Sequence, residues 1–374
     1  MSDKPIDLAG PGISTYTAVA ETLPADYSPL LAPKERVKAI FRLKRFIEEN
    51  LCRELGLFMV PVPLIVSRDS GINDYLDRDG SRTPVEFPCG LGLDKRIDAQ
   101  IVQAATKWKR MALAQFDCDV GEGINTDMRA VRKDYFLDQD HSAYVDQWDW
   151  EKVITAGQRN LDYLKATVEK IWAVIYEAGQ MLARDYPAWA DCPEIPKRLE
   201  FFHAEEILQR YPDLPRKQRE TKMLTEVAPA IFIIGIGHVL DDGYPHEMRA
   251  ADYDDWITPT VTLAGSQCHG LNGDILVWNP VTRRRHELSS MGIRVTAETL
   301  AQQVAESGQR ELLALPYHQA IMRGEIPLSV GGGIGQSRTY MYLLRTAHIG
   351  EVSVTVWPDQ LKKICAARNI QLLE

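Results

Sequence analysis

The fold class this 374-residue sequence predicts is α+β, a mainly antiparallel sheet flanked by helices. Two observations predict it. Segments of strand character come in hairpin-like groups, whereas helical periodicity is confined to separate blocks, so repeated βαβ units and a parallel sheet are disfavoured. In addition, Asp274–Asn279 and His286–Ser290 flank the turn signal Asn279-Pro280, which reads as a hairpin.

Residues 1–33 are rich in Pro, Gly, Ser and Thr without periodicity and read as an extension; residues 34–374 read as a single domain. Val37, Ile40, Phe41, Phe46, Ile47, Leu51 and Leu55 form the stripe of an amphipathic helix that ends at Gly56. The run Leu57–Val66 is extended, and its prolines put it at a sheet edge or interface. Residues 67–100 are loop-like, punctuated by Gly71, Gly80, Gly90 and Gly92. A short helix over 104–114 and a turn over 119–125 follow, then a strand over Ala143–Trp150 whose two-residue period puts Gln147 and Asp149 on one face. Leu161–Met181 is a long helix burying Leu164, Val168, Ile171, Trp172 and Ile175. Ala204–Arg210 is helical, and Ala230–Ile236 is a strand buried on both faces. A helix after Arg338 and a strand over Val352–Trp357 close the chain.

Composition excludes several classes. A net charge of -9 disfavours a nucleic-acid-binding surface. There is no apolar run long enough to span a bilayer and no secretory signal pattern. Six cysteines without a C-x-x-C pair point to reduced thiols and a cytoplasmic protein, and Cys268-His269 with His238 and His246 has no zinc-ligand spacing.

The stretch Gly331-Gly332-Gly333-Ile334-Gly335-Gln336-Ser337-Arg338 runs directly into a helical segment. Its glycines allow close backbone approach to a ligand, and Arg338 in a first helical turn opposes the helix dipole, which suggests a contact role. It is not a dinucleotide fingerprint, because Gln336 stands where the last glycine belongs. The ordinary alternative is a tight turn packing a helix on a sheet. The hairpin brings Asp274 and Glu287 onto adjacent strands, where facing carboxylates favour a hard cation such as Mg²⁺ between them. Taken singly, Lys109 and Arg110 could be a solvated helix face, and Gln147 and Asp149 exposed strand polars.

Together these stretches resemble class II aminoacyl-tRNA synthetase catalytic domains. Gly56–Pro63 is similar to the first motif, Arg132-Lys133-Asp134 with the strand through Asp149 to the second, and Gly331–Arg338 to the third. Within that superfamily the chain resembles the aspartate–ammonia ligases (ammonia-dependent asparagine synthetases) from about Lys34 to the C-terminus. The runs that carry this include Lys107-Trp108-Lys109-Arg110, Tyr144–Glu151, Asp252–Trp256, Leu271–Pro280 and His318-Gln319-Ala320.

The resemblance implies formation of L-asparagine from L-aspartate, ammonia and ATP through β-aspartyl-AMP, releasing AMP and pyrophosphate, in a homodimer. It also implies roles. Arg132 bridges the reacting carboxylate and the α-phosphate, Asp134 reads the adenine edge, and Arg338 packs on the adenine beside Gly333 and Gly335. Asp274 and Glu287 hold Mg²⁺, and Ser289 assists at the nucleotide. Lys109 and Arg294 clamp the α-carboxylate, while Gln147 and Asp149 take the substrate ammonium. Asp74 and Asp254 are alternatives for the acid that deprotonates the incoming ammonium, and the sequence does not choose between them. A tRNA synthetase relative would need an anticodon-binding module, and only about 33 residues precede the first motif. A catalytically silent paralogue would be expected to lose some of Lys109, Arg132, Asp274, Glu287, Arg294 and Arg338, all of which are present.

Overall fold

In the computed structural model, residues 15–74, 82–90, 92 and 95–374 are described. Tyr75, Leu76, Gly80 and residues 1–14 of the extension lie outside them. The strands are β1 (Leu57–Met59), β2 (Ile65–Ser67), β3 (Glu86–Cys89), β4 (Ile97–Ile101), β5 (Gly123–Val131), β6 (Tyr144–Val153), β7 (Glu200–His203), β8 (Ala230–Ile234), β9 (Pro259–Leu263), β10 (Ser266–His269), β11 (Asn272–Asn279), β12 (Arg284–Ile293) and β13 (Ser329–Gly335). The main helices are α1 (Tyr16–Thr22), α2 (Pro33–Leu55), α3 (Thr106–Gln115) and α4 (Leu161–Asp185), followed by α5 (Ala204–Arg210), α6 (Arg216–Lys222), α7 (Ala297–Glu306), α8 (Pro316–Met322), α9 (Gln336–Leu343) and α10 (Asp359–Ala367).

Eight strands form one sheet in the order β1-β5-β6-β13-β12-β11-β8-β7. Its six inner strands pair antiparallel, and β1 and β7 add in parallel at the two edges. The α+β expectation therefore holds, with the proline-bearing first strand at an edge. One face of the sheet is covered by α2, α4 and α9, which pack on one another. Trp148 and Trp150 of β6 and Ile275 and Val277 of β11 point into that layer and are buried among its apolar residues. Period two then sends Gln147, Asp149 and Glu151 of β6 and Asp274 of β11 to the opposite face, which is where the chemistry-bearing groups lie.

The structure revises several expectations. The extension contains α1, capped by Thr15, with Val19 and Leu23 buried. In α2, Ile47, Leu51 and Leu55 are buried as expected, whereas Phe41 is 69% exposed because the buried stripe runs through Ala39 and Leu43. Residues 67–100 are not only loop: β2, β4 and β3 form a small antiparallel sheet. The glycine-rich stretch is not a turn but strand β13, and none of its glycines has a positive φ. Val352–Trp357 is not a strand; Val354 and Val356 are exposed without a neighbouring strand, and the chain closes with α10. Asp274 and Glu287 sit on adjacent strands but are not opposite each other, since Asp274 faces Ser290 and Glu287 faces Leu276 across an irregularity in the register.

Candidate active site

β6 and β13 build the floor. Gly331 lies opposite Glu151, Gly333 opposite Asp149, and Gly335 opposite Gln147. A Cβ on Gly331 would stand 1.9 Å from a Glu151 carboxylate oxygen, and one on Gly333 would stand 2.6 Å from the Gln147 amide oxygen. Gly331 and Gly333 are thus required by side chains that lean across from β6, and Gly332 by Met291 of β12, not by an unusual backbone conformation.

Lys109 reaches this floor from α3 and is 1% exposed. Its ammonium pairs closely with Asp149, donates to the Gly332 carbonyl at 3.0 Å and lies 3.8 Å from Glu151. The solvated-face alternative is therefore wrong for this helix, whose Lys107, Lys109 and Arg110 are all buried. Arg294, just past the end of β12, donates Nε and Nη2 to Glu151 at 3.0 and 2.9 Å and pairs with Asp254 through Nη1. Burial would raise the Glu151 carboxyl, but the Arg294 and Lys109 cations outweigh it and hold it below the usual carboxylate range. Asp254 is placed by an isolated antiparallel bridge to Arg294. It lies 3.7 Å from Arg249, whose Nη2 donates to Asp274 at 2.6 Å.

Alternating charges thus run without a break from Lys109 to Asp274. Oδ2 of Asp149 and Oδ1 of Asp74 lack a hydrogen-bond partner among the described residues. Asp74 accepts from the Thr106 backbone N–H at 2.8 Å. Burial pushes its carboxyl up to about 6, with Lys107 opposing and the Asp252 and Asp149 carboxylates adding to the rise. Lys107 in turn pairs with Asp252 at 2.8 Å, and His318 meets Asp252 at 3.0 Å.

At the other end, Arg338 in the first turn of α9 lies 3.6 Å from Glu287, both partly exposed. Ser289 donates to the Gly333 carbonyl at 3.0 Å. Asp274 and Glu287 fit a hard divalent cation: the donors are carboxylate oxygens, and the Asp274 carboxyl is pushed up to about 7. Burial is the main cause, Arg249 opposes it, and the Glu287 and Glu247 carboxylates add to it. Arg132 donates Nε to the Gln103 carbonyl at 3.1 Å and forms no ion pair among the described residues. Asp134 stands apart from the buried array, tied at the surface to Lys133 at 2.8 Å and to the Thr83 backbone N–H at 3.1 Å.

Sequence reasoning passed over Glu151, Arg249, Lys107 and Asp252. Glu151 was within reach, since it continues the two-residue period from Gln147 and Asp149. Arg249 carried no such signal, because it lies in the long segment between β8 and β9.

The sheet order defines the fold class, that of class II aminoacyl-tRNA synthetase-like catalytic domains. The fold is similar to an asparaginyl-tRNA synthetase of Entamoeba histolytica solved in complex with asparaginyl-adenylate, at a TM-score of 0.61 and 14% identity over 86% of this chain and 66% of that one. It is similar as well to the Pyrococcus horikoshii asparaginyl-tRNA synthetase with asparaginyl-adenylate, at a TM-score of 0.60 and 15% identity over 87% and 70%. The chain belongs to the aspartate–ammonia ligase family, whose model matches residues 34–369. Relatives named aspartate–ammonia ligase include one from Bacteroides fragilis, 44% identical over 94% of this chain and 98% of its own length. Another, from Bacillus cytotoxicus, is 42% identical over 92% and 99%. Among the described residues no helix is long and apolar enough to cross a membrane.

Proposed function

We propose that the protein forms L-asparagine from L-aspartate, ammonia and ATP through a β-aspartyl-AMP intermediate, with AMP and pyrophosphate released. The observation that carries this reading is the buried charge array joining Lys109, Asp149, Glu151, Arg294, Asp254, Arg249 and Asp274. Such an array suits a reaction in which one anion attacks another, because fixed cations in a dry site stabilise the charge that develops.

Lys109 and Arg294 clamp the α-carboxylate of aspartate, leaving the β-carboxylate to meet the α-phosphate. Glu151 keeps both cations in place. Gln147 and Asp149 take the substrate ammonium, which would satisfy the unpartnered Oδ2 of Asp149. Arg132, free of carboxylate partners among the described residues, is the cation for the α-phosphate and the reacting carboxylate. Arg338, Gly333, Gly335 and Ser289 hold the nucleotide, and Asp134 reads the adenine edge. Asp274 and Glu287 hold Mg²⁺, which when bound neutralises phosphate charge.

Asp74 is the better base for the incoming ammonium. Its raised carboxyl and unpartnered oxygen suit proton transfer, whereas Asp254 is committed to Arg294. The reading includes a single catalytic domain from residue 34, a cytoplasmic location and a homodimer that does not bind nucleic acid. The dimer is supported by edge strand β1, where Phe58 is 44% and Met59 41% exposed, beside Phe116. Sedimentation at micromolar concentration should give twice the 42.2 kDa chain mass, and a monomer refutes that part.

The function is tested by product analysis with aspartate, ATP, Mg²⁺ and ammonium. AMP and asparagine should appear in equal amounts. ADP in place of AMP, or charging of tRNA without free asparagine, would overturn the proposal.

A further inference from the structure

The assignment of Asp274 and Glu287 to a divalent cation leaves one cation unexplained. Arg249 puts Nη2 2.6 Å from Asp274, on the carboxylate that such a metal would need. No other side chain among the described residues hydrogen-bonds Asp274. Two further features suit a displaceable partner. Arg249 lies in irregular chain between β8 and β9, so its side chain can move without breaking a helix or a strand. Its Nε has no hydrogen-bond partner among the described residues, yet it already stands 3.7 Å from Asp254. A guanidinium released from Asp274 would therefore stay beside a second carboxylate instead of being stranded in a dry site.

We infer that Arg249 is a built-in counter-ion that competes with the divalent cation for Asp274, so that the free protein binds metal weakly and metal bound to nucleotide well. This rests on the metal assignment proposed above. Removing Arg249 removes the competitor. The physical balance is direct: in the free protein a metal must break a charge-assisted hydrogen bond to reach Asp274, whereas the metal–nucleotide complex brings phosphate anions that receive the displaced cation. Before metal arrives Arg249 also keeps the buried Asp274 carboxylate compensated beside Glu287, which two neighbouring acids without a cation would not be.

The test is Mn²⁺ binding to the full-length protein, followed by electron paramagnetic resonance at pH 8.5 without nucleotide, in wild type and in Arg249→Gln. The variant should bind Mn²⁺ at least about tenfold more tightly, equivalent to about 1.4 kcal/mol. The gap should narrow when a non-hydrolysable ATP analogue is present. A variant that melts like wild type but binds Mn²⁺ equally or more weakly overturns the inference. If neither protein binds Mn²⁺ even with the analogue, the metal assignment itself fails and takes this inference with it. Should Arg249→Gln not fold, Arg249→Lys decides the matter. Its charge is kept but its head is a single point donor, and about threefold tightening is expected, with no tightening as the contrary result.

Discussion

Replacing Gly331 by alanine tests whether the glycine strand exists to admit Glu151. The new Cβ would lie 1.9 Å from a Glu151 oxygen and 2.7 Å from the Trp150 carbonyl oxygen. To reach an ordinary contact of 3.4 Å the carboxylate must retreat about 1.5 Å, and the backbone must give as well. The Arg294–Glu151 bonds, now 2.9 to 3.2 Å, cannot survive that shift unchanged. Overpacking costs roughly 1–3 kcal/mol, and loosening a buried ion pair adds to it, so a loss of about 3 kcal/mol is expected. With an unfolding entropy near 2 cal/mol/K per residue, that lowers Tm by roughly 4 °C. Displacing the clamp by about 1 Å should also cut aspartate-dependent pyrophosphate exchange by about 10²-fold. Gly157→Ala is the control, because its Cβ would meet nothing closer than Thr155 at 3.9 Å. A Gly331→Ala protein that melts like wild type and exchanges within threefold of it would refute this role for Gly331.

Three other outcomes are expected. Arg132→Ala should abolish aspartate-dependent pyrophosphate exchange, by at least about 10²-fold if it supplies transition-state charge, and wild-type exchange would reject that role. Asp274→Asn combined with Glu287→Gln should sharply raise the Mg²⁺ concentration needed for half-maximal rate; an unchanged requirement would move the metal elsewhere. The third concerns Asp74. Its folded carboxyl near 6 lies above an unfolded value near 3.9, so the folded state binds the extra proton between pH 4 and 6. Stability from this group therefore falls as pH rises through that window and stays low above it. Asp74→Asn should stabilise the protein at pH 7.5 by up to about 3 kcal/mol while depressing asparagine formation, and the gain in Tm should vanish near pH 4.

The helices and buried strands were legible where side chains repeat with a period. The α4 stripe of Leu164, Val168, Ile171, Trp172 and Ile175 is buried as read, and β8 is buried along its whole length. The β11–β12 hairpin follows from Asn279-Pro280, but its register does not, because the irregularity between Ile275 and Leu276 has no local signature. β13 has no strand signature for a physical reason: glycines show no alternation, and the side chains crowding Gly331 and Gly333 belong to β6, some 180 residues earlier in the chain. The apolar residues of Val352–Trp357 alternate as a strand would, yet without a partner backbone they remain coil. The site shows the same division. Gln147 and Asp149 follow from period two on one strand, and Glu151 extends that period by one step, whereas the Arg249–Asp274 contact joins a loop to a strand and leaves no trace in spacing.

The clamp of Lys109 and Arg294 decides which carboxylate oxygen attacks the α-phosphate. L-aspartate carrying ¹⁸O in its β-carboxylate, turned over with ATP, Mg²⁺ and ammonium, should deliver one ¹⁸O to the phosphate of AMP for each asparagine formed. Mass spectrometry of the AMP reads this directly. Unlabelled AMP, or label carried instead into inorganic phosphate, would contradict attack of the β-carboxylate on the α-phosphate.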